Sequence, residues 1–125
     1  DIIILNSFGV LNDYFKYAKS VFIGKSSLRK FERIGGQNPI DAALLGCKIY
    51  HGPYVYNFKE IYQLLEKNYI SKKINNFDDL NDNLTNDLQN FKKEKNKSTN
   101  FMNNLSQKTL TNTMEKVNHF LLNAI

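Results

Sequence analysis

Two glycine-containing turns, each placed just before a helix start, hold the residues best suited to chemistry. The first is GGQN at positions 35–38, followed by Asp41, and the second is GP at positions 52–53, followed by Asn57. Unpaired N–H groups at a helix start favour a bound anion, and glycine lets the backbone approach a ligand closely. The spacing therefore predicts that a phosphate or a sugar binds between the two turns.

Helix capping is the alternative explanation for both turns. Asn38 would then cap one helix, with Asp41 complementing its dipole, and Asn57 would form a capping box with Glu60. Capping leaves the two glycines and Gln37 of the first turn unexplained. The stretch has neither the Gly-Lys-Ser/Thr of a Walker A loop nor the GxGxxG of a dinucleotide site, so neither of those sites is expected.

Other polar and aromatic residues nearby have two interpretations each. Four basic residues precede the first turn and form either a solvated loop or phosphate contacts: Lys25, Arg29, Lys30 and Arg33. Tyr54 and Tyr56 either stack on a base or sugar or cover the end of the sheet. His51 and His119 lack ligand spacing and are interpreted as structural or surface residues. No acid–base pair, Ser/His/Asp set or metal-ligand cluster is apparent, so the sequence predicts a binding half-site without catalytic residues.

The elements that position these turns alternate between strand and helix. Strands are predicted at residues 1–5, 20–24, 47–50 and 69–74, and helices at 10–18, 39–45, 57–67, 76–91 and 101–122. Gly46 is expected to end the second helix, and Asn76 with Asp79 is expected to cap the fourth. The charge run KKEKNK at 92–97 is a helix end or a linker. This order predicts an α/β fold with a parallel sheet, whose ligands bind beyond the carboxyl ends of the strands.

The length and composition of the chain limit the classes of protein to which it can belong. At 125 residues the chain is one domain or part of a larger one, and its start on an apparent core strand predicts a piece of a longer protein. The lone Cys47 excludes a disulfide framework and is interpreted as a buried structural thiol. No apolar run approaches the ~20 residues of a membrane span. The net charge of +5 is nearly all lysine, which weakens a nucleic-acid interpretation but suits a phosphorylated substrate or an anionic membrane.

The same residues resemble a known family. GGQNPID at 35–41 and GPYVYNF at 52–58 are similar to the paired motifs G-G-H-N-P-x-E and G-P-H-x-x-N-F of the 3-deoxy-D-manno-octulosonic acid (Kdo) transferases. NSFGVL at 6–11 resembles that family's D-T-x-G-E-L segment. Gln37 stands in place of the motif histidine, Asp41 in place of glutamate, and Val10 in place of the glutamate of G-E-L. The resemblance covers about the first half of the chain, in the family's order and spacing.

The resemblance implies part of the C-terminal domain of a GT-B glycosyltransferase, with a Rossmann-like parallel sheet flanked by helices. Residues 1–95 would be the second half of the nucleotide-sugar-binding domain, and residues 98–125 its closing helix. The parent enzyme would transfer Kdo from the donor CMP-Kdo to a lipid A precursor in lipopolysaccharide biosynthesis, at the cytoplasmic face of the bacterial inner membrane. The catalytic base would lie in the missing N-terminal domain. No metal, no further cofactor and no nucleic-acid partner are expected.

By position, the resemblance assigns donor binding to Ser7, Phe8, Gly9, Gly35, Gly36, Gln37, Asn38 and Asp41, with additional contacts from Arg33, Tyr54 and Asn57. Two alternatives stay open. The chain could belong to another GT-B transferase that uses a UDP- or GDP-sugar, or it could be a non-catalytic module that binds polyanions through its lysines.

Overall fold

The computed structural model describes residues 2–7 and 9–124, and the side chains of all of these except residues 91–96. Five helices and three strands occur in this described part of the chain. In order they are α1 (Leu11–Phe15), β1 (Ser20–Ile23), α2 (Ile40–Leu44), β2 (Lys48–His51), α3 (Lys59–Lys67), β3 (Ser71–Lys73), α4 (Phe77–Gln89) and α5 (Phe91–Asn123). Short 3-10 turns occupy Gly24–Ser27, Arg29–Phe31 and Tyr56–Phe58.

The three strands form one parallel sheet in the order β1-β2-β3. Val21 of β1 lies opposite Ile49 of β2, and Ile49 lies opposite Ser71 of β3. Parallel neighbours need a crossover connection, and the segments that contain α2 and α3 provide the two crossovers. The predicted α/β class with a Rossmann-like parallel sheet is confirmed, and the carboxyl ends of the three strands meet at one edge.

Helices cover both faces of the sheet, because successive residues of β2 point to opposite sides. Ile49 packs in a buried cluster with Tyr62 and Leu65 of α3. Tyr50, its neighbour in sequence, packs on the other side in a second cluster that contains Leu80 of α4. Cys47 is fully buried in the first cluster, which confirms its interpretation as a structural thiol.

Helix α4 is fixed at both ends by side-chain hydrogen bonds. At its start, the Asn76 Oδ1 atom accepts a hydrogen bond from the backbone N–H of Asp79 at 2.8 Å, so the predicted capping residue is confirmed. Near its end, the Asp87 carboxylate accepts hydrogen bonds from the hydroxyls of Tyr50 at 2.6 Å and of Ser20 at 2.7 Å. This carboxylate therefore joins α4 to both β1 and β2.

Helix α5 is continuous from Phe91 to Asn123, and it packs on the core of the sheet through residues 101–105. Phe101, Met102 and Leu105 pack against the core cluster that includes residues of α2, and Met102 is buried there. The described residues after Leu105 are all exposed. No helix in the described ranges is long and apolar enough to cross a membrane.

Two elements differ from the sequence prediction. The expected strand at residues 1–5 is wrong for residues 2–5, which have no regular structure, with Ile2 94% and Ile4 88% exposed; residue 1 lies outside the described residues. A strand needs a neighbour for its N–H and C=O groups, and none of the three described strands pairs with this segment. The charge run at 92–97 lies within the helical backbone of α5, so it is not a linker.

Candidate functional site

A cleft of about 870 Å³ lies beside β1 and beyond its carboxyl end. Its apolar lining comes from α1, β1, α2 and the 3-10 turn before α3: Leu11, Phe15, Val21, Phe22, Ile23, Ala42 and Phe58. Its other lining residues come from the loops and from the starts of α1 and α2: Gly9, Asn12, Gly24, Lys25, Gly36, Gln37, Asn38 and Asp41. Ligand sites usually occupy ~300–1,000 Å³ and combine apolar walls with a few polar groups, so this cleft can hold a nucleotide-sized molecule.

The cleft brings together part of the predicted site. Gly9, Gly36, Gln37, Asn38 and Asp41 all line it. The other assigned residues that the structure describes are not lining residues: Ser7, Arg33, Gly35, Tyr54 and Asn57. Phe8 lies outside the described residues. The wall formed by α1 was not predicted, although the helical spacing of its apolar residues Leu11 and Phe15 is visible in the sequence.

The glycine pair at 35–36 has a packing role that the sequence did not disclose. A Cβ on Gly35 would lie 3.0 Å from the Cγ of Asn57, and one on Gly36 would lie 3.1 Å from a Val55 methyl and 3.3 Å from the Tyr54 carbonyl. Gly35 also has φ +75°, a conformation that favours glycine. These glycines let the first turn lie directly against the second. Contact between the turns therefore explains why glycine occupies these two positions, in addition to the predicted approach to a ligand.

A third loop, the one that follows β1, closes on the same point. The buried Ser26 hydroxyl accepts a hydrogen bond from the backbone N–H of Gly52 at 2.7 Å, and the Ser26 carbonyl accepts one from Tyr54 at 2.9 Å. A Cβ on Gly52 would lie 2.5 Å from the Ser26 carbonyl oxygen and 2.6 Å from the Cα of Ser27. The loops after β1 and β2 therefore meet through backbone atoms, next to Lys25 and Gly36 of the cleft lining.

The capping predictions have different outcomes at the two turns. Helix α2 begins at Ile40, with Pro39 and not Asn38 at its N-cap position and no side-chain cap there. The Asn38 Oδ1 atom nevertheless accepts a hydrogen bond from the Ile40 N–H at 3.0 Å. Asn57 caps nothing: α3 begins at Lys59 without a side-chain cap, and the Asn57 amide donates to the Ile34 carbonyl. The predicted capping box there is wrong, because Asn57 is engaged by the neighbouring turn.

The charges at the cleft come from one cation and one anion among its lining residues, Lys25 and Asp41. The Lys25 ammonium lies 5.7 Å from the centre of the Phe31 ring, and the Lys30 ammonium lies 4.9 Å from the same ring. Both ammonium groups lie over the same aromatic ring, whose faces favour cations, but only Lys25 lines the cleft. Arg29 and Arg33 are exposed away from it, so the basic loop divides into one cleft residue and three surface residues.

Below the cleft, α3 supports the first turn. The Tyr62 hydroxyl donates a hydrogen bond to the carbonyl of Gln37 at 2.9 Å, while the Gln37 side chain is exposed at the cleft. Burial raises the pKa of Tyr62, which keeps its hydroxyl protonated and therefore a donor. Among the described residues, no group of three or more His, Cys, Asp or Glu side chains is placed to hold a metal ion. The arrangement can bind and orient a polar ligand.

Comparison with known proteins agrees with the residue pattern at a coarse level. The chain is 29% identical over 94 residues to a 3-deoxy-D-manno-octulosonic acid transferase of Aquifex aeolicus (strain VF5). The match covers 75% of this chain and 25% of that protein's length, so the chain spans about a quarter of the relative it matches. No protein-family model matches the chain. The similarity supports a relationship to glycosyltransferases.

Proposed function

We propose that this chain is the donor-binding part of a GT-B glycosyltransferase that moves Kdo from CMP-Kdo onto a lipid A precursor. The observation that carries the proposal is the cleft beside β1, where the residues of the G-G-x-N-P-x-acid motif meet the segment that begins at Gly9. The similarity to the Aquifex aeolicus transferase points to the same class of enzyme. The nucleotide-sugar is the only small molecule that the proposal requires; no metal or separate cofactor takes part.

The proposed chemistry uses the cleft to stabilise the leaving group. A hydroxyl of the lipid acceptor displaces CMP from the sugar, and negative charge develops on the departing phosphate. Lys25 supplies the positive charge among the described lining residues, and fixed charges of this kind stabilise a developing anion. The Ile40 N–H at the start of α2 is already bonded to Asn38, so Asn38 and Gln37 act through their side-chain amides, and Asp41 is available to sugar hydroxyls.

The remaining parts of the proposal concern the parent protein. The general base and the acceptor site would lie in an N-terminal domain, and the acceptor would be reached at the cytoplasmic face of the bacterial inner membrane. The positive net charge of +5 suits an anionic membrane surface. Nucleic acid is not a proposed partner, because only two arginines offer bidentate phosphate contacts.

A nucleotide titration combined with two lysine variants tests this proposal. Amide NMR shifts of the chain, titrated separately with CMP, UDP and GDP, should move with CMP and cluster at Gly9, Gly36–Asn38 and Asp41. Lys25→Gln should weaken CMP binding by about tenfold, the usual scale of one charge-assisted hydrogen bond. Lys30→Gln, which removes a matched ammonium over the same Phe31 ring, should change it less than about twofold.

Each rival function predicts a different pattern in this titration. A UDP- or GDP-sugar transferase would respond to UDP or GDP and not to CMP. A polyanion-binding module would ignore mononucleotides, bind nucleic acid with steep salt dependence, and lose equal affinity in the Lys25→Gln and Lys30→Gln variants. Equal effects of the two substitutions on CMP binding would also contradict the proposed role of Lys25.

A further inference from the structure

A buried histidine lies directly under the joined loops. His51 ends β2, and its side chain is almost fully buried, with 1% of the residue exposed. Its ring lies 4.3 Å from the ring of Tyr62, centre to centre, and 2.9 Å separates its Nε2 atom from the Glu66 Oε1 atom. Both partners belong to α3. The sequence predicts either a structural or a surface role for His51. The structural role is correct, because the residue is buried and has an acidic partner.

The hydrogen bonds of His51 define its charge. Its Nδ1 atom lies 2.8 Å from the carbonyl oxygen of Gly52, and its Nε2 atom lies 2.9 Å from the Glu66 carboxylate. A carbonyl and an ionised carboxylate are acceptors only, so each ring nitrogen must donate a hydrogen. A neutral imidazole donates from one nitrogen and would set a lone pair against the other oxygen. Opposite an ionised Glu66, the imidazolium is the form that satisfies both contacts.

His51, Tyr62 and Glu66 form a cluster, and two of its side chains hydrogen-bond to backbone carbonyls of the two turns. His51 holds the Gly52 carbonyl, and the N–H of the same Gly52 donates to Ser26 at 2.7 Å. Tyr62, which contacts the His51 ring, holds the Gln37 carbonyl at 2.9 Å. A change in the position of the His51 ring therefore reaches the second turn directly and the first turn through Tyr62.

The titratable groups around His51 come from three elements: α3, β3 and β2. Tyr62 and Glu66 face His51 from α3, and Lys73 of β3 is its register partner in the sheet. Glu66 also shares a surface hollow with Lys48, Lys72 and Lys73. The Glu66 side chain is 39% exposed, so it stays solvated while its inner oxygen meets the buried ring.

We propose that His51 is a charged positioning residue, whose imidazolium is held by Glu66 and fixes the Gly52 carbonyl, and with it the loops that meet beside the cleft. The claim that His51 positions the loops depends on the hydrogen bonds alone. The effect on ligand affinity rests on the proposed function, with CMP as the ligand.

The experiment reads the His51 ring by ¹⁵N NMR in the intact 125-residue chain, with the exposed His119 as an internal reference. At pH 7 both nitrogens of His51 should carry hydrogen. Glu66→Gln keeps an acceptor and removes the charge, so the ring should change toward the singly protonated form, and the amide shifts of Gly52 and Gln37 should move. Glu60→Gln on the exposed side of the same helix is the matched control and should change neither.

The ligand arm uses CMP on the same samples. Glu66→Gln should weaken CMP binding by about fivefold or more, a usual size for coupling between two sites, while Glu60→Gln should not. A single ring hydrogen on wild-type His51 at pH 7 would overturn the positioning proposal, and so would a Glu66→Gln spectrum unchanged at Gly52 and Gln37. If CMP causes no amide shifts in the wild type or in either variant, while the ring and loop shifts are as expected, the proposed function is refuted and the positioning role is still supported.

Discussion

Gly52→Ala should be one of the most destabilising single-methyl changes in this chain. The added Cβ would lie 2.5 Å from the Ser26 carbonyl oxygen and 2.6 Å from the Ser27 Cα, and backbone atoms cannot rotate away as a side-chain tip can. Gly52 does not have a positive φ, so the effect is steric and not a matter of backbone conformation. The loops after β1 and β2 must separate to admit the methyl group.

The expected loss follows from two contributions. Overpacking of this kind costs about 1–3 kcal/mol, and each hydrogen bond disturbed between Ser26 and the Gly52 loop costs about 1 kcal/mol net. The free energy of unfolding should therefore fall by about 2–4 kcal/mol. With a urea m-value of about 1.5 kcal/mol/M, the midpoint should fall by about 1–3 M, followed by tyrosine fluorescence at 25 °C.

Gly24→Ala is the matched control for this experiment. A Cβ on Gly24 would meet only a Phe22 ring carbon at 3.7 Å, an ordinary contact, and its φ is not positive. The same change in chemistry, at the end of β1, should leave stability unchanged or raise it by up to about 1 kcal/mol. If Gly52→Ala unfolds within about 0.5 kcal/mol of the wild type, the close approach of the two loops is not a constraint and the reasoning fails.

Three further predictions concern other parts of the fold. Asp87→Ala should destabilise the chain by about 2–4 kcal/mol, because hydrogen bonds to a charged group contribute about 1.5–3 kcal/mol each and Tyr50 is one of its donors; urea unfolding with less than about 1 kcal/mol lost would contradict this. The pKa of Asp79 is lowered, chiefly by the hydrogen bond from the Asn75 backbone N–H. Its stabilising effect is therefore present above the unfolded pKa of about 4 and disappears as pH falls through the lower, folded pKa. The stability gap between wild type and Asp79→Asn should therefore shrink from pH 7 to pH 3, and a constant gap would refute the assignment. Cys47, fully buried, should react with a thiol reagent at least about 100-fold more slowly in the native chain than in urea, and equal rates would show that the core opens freely.

The sequence was sufficient where local pattern and tertiary structure agree. The apolar residues of β1 and β2, the cap at Asn76 and the glycine stop at Gly46, whose φ is +78°, were all predicted from residues within a few positions. The α/β class follows from their alternation, because parallel strands need crossover helices. The part of the cleft formed by Gln37 and Asn38 was predicted for the same reason, as a turn that precedes a helix beyond the end of a strand.

The failures arise where a partner distant in sequence decides the outcome. Residues 2–5 have the composition of a buried strand, but no described strand lies beside them, and composition alone does not supply a neighbour. Asn57 has the spacing of a cap, but the Ile34 carbonyl, 23 positions away, takes its amide. His51 has no partner close to it in the sequence, because its partner Glu66 lies 15 positions later, in α3. In each case the deciding contact is tertiary.

The exposed second half of α5 has a consequence for how this chain must be studied. The described residues beyond Leu105 add about 27 Å of helix at 1.5 Å per residue, held by little except their own backbone hydrogen bonds, and short helices of that kind are marginal in water. This part should melt gradually and below the sheet domain, so circular dichroism at 222 nm will show a sloping, early loss of signal. All seven tyrosines precede residue 70, and the chain has no tryptophan. Intrinsic fluorescence therefore reports the sheet domain alone, and two spectroscopic probes of one sample will give different apparent transitions without any folding intermediate in that domain.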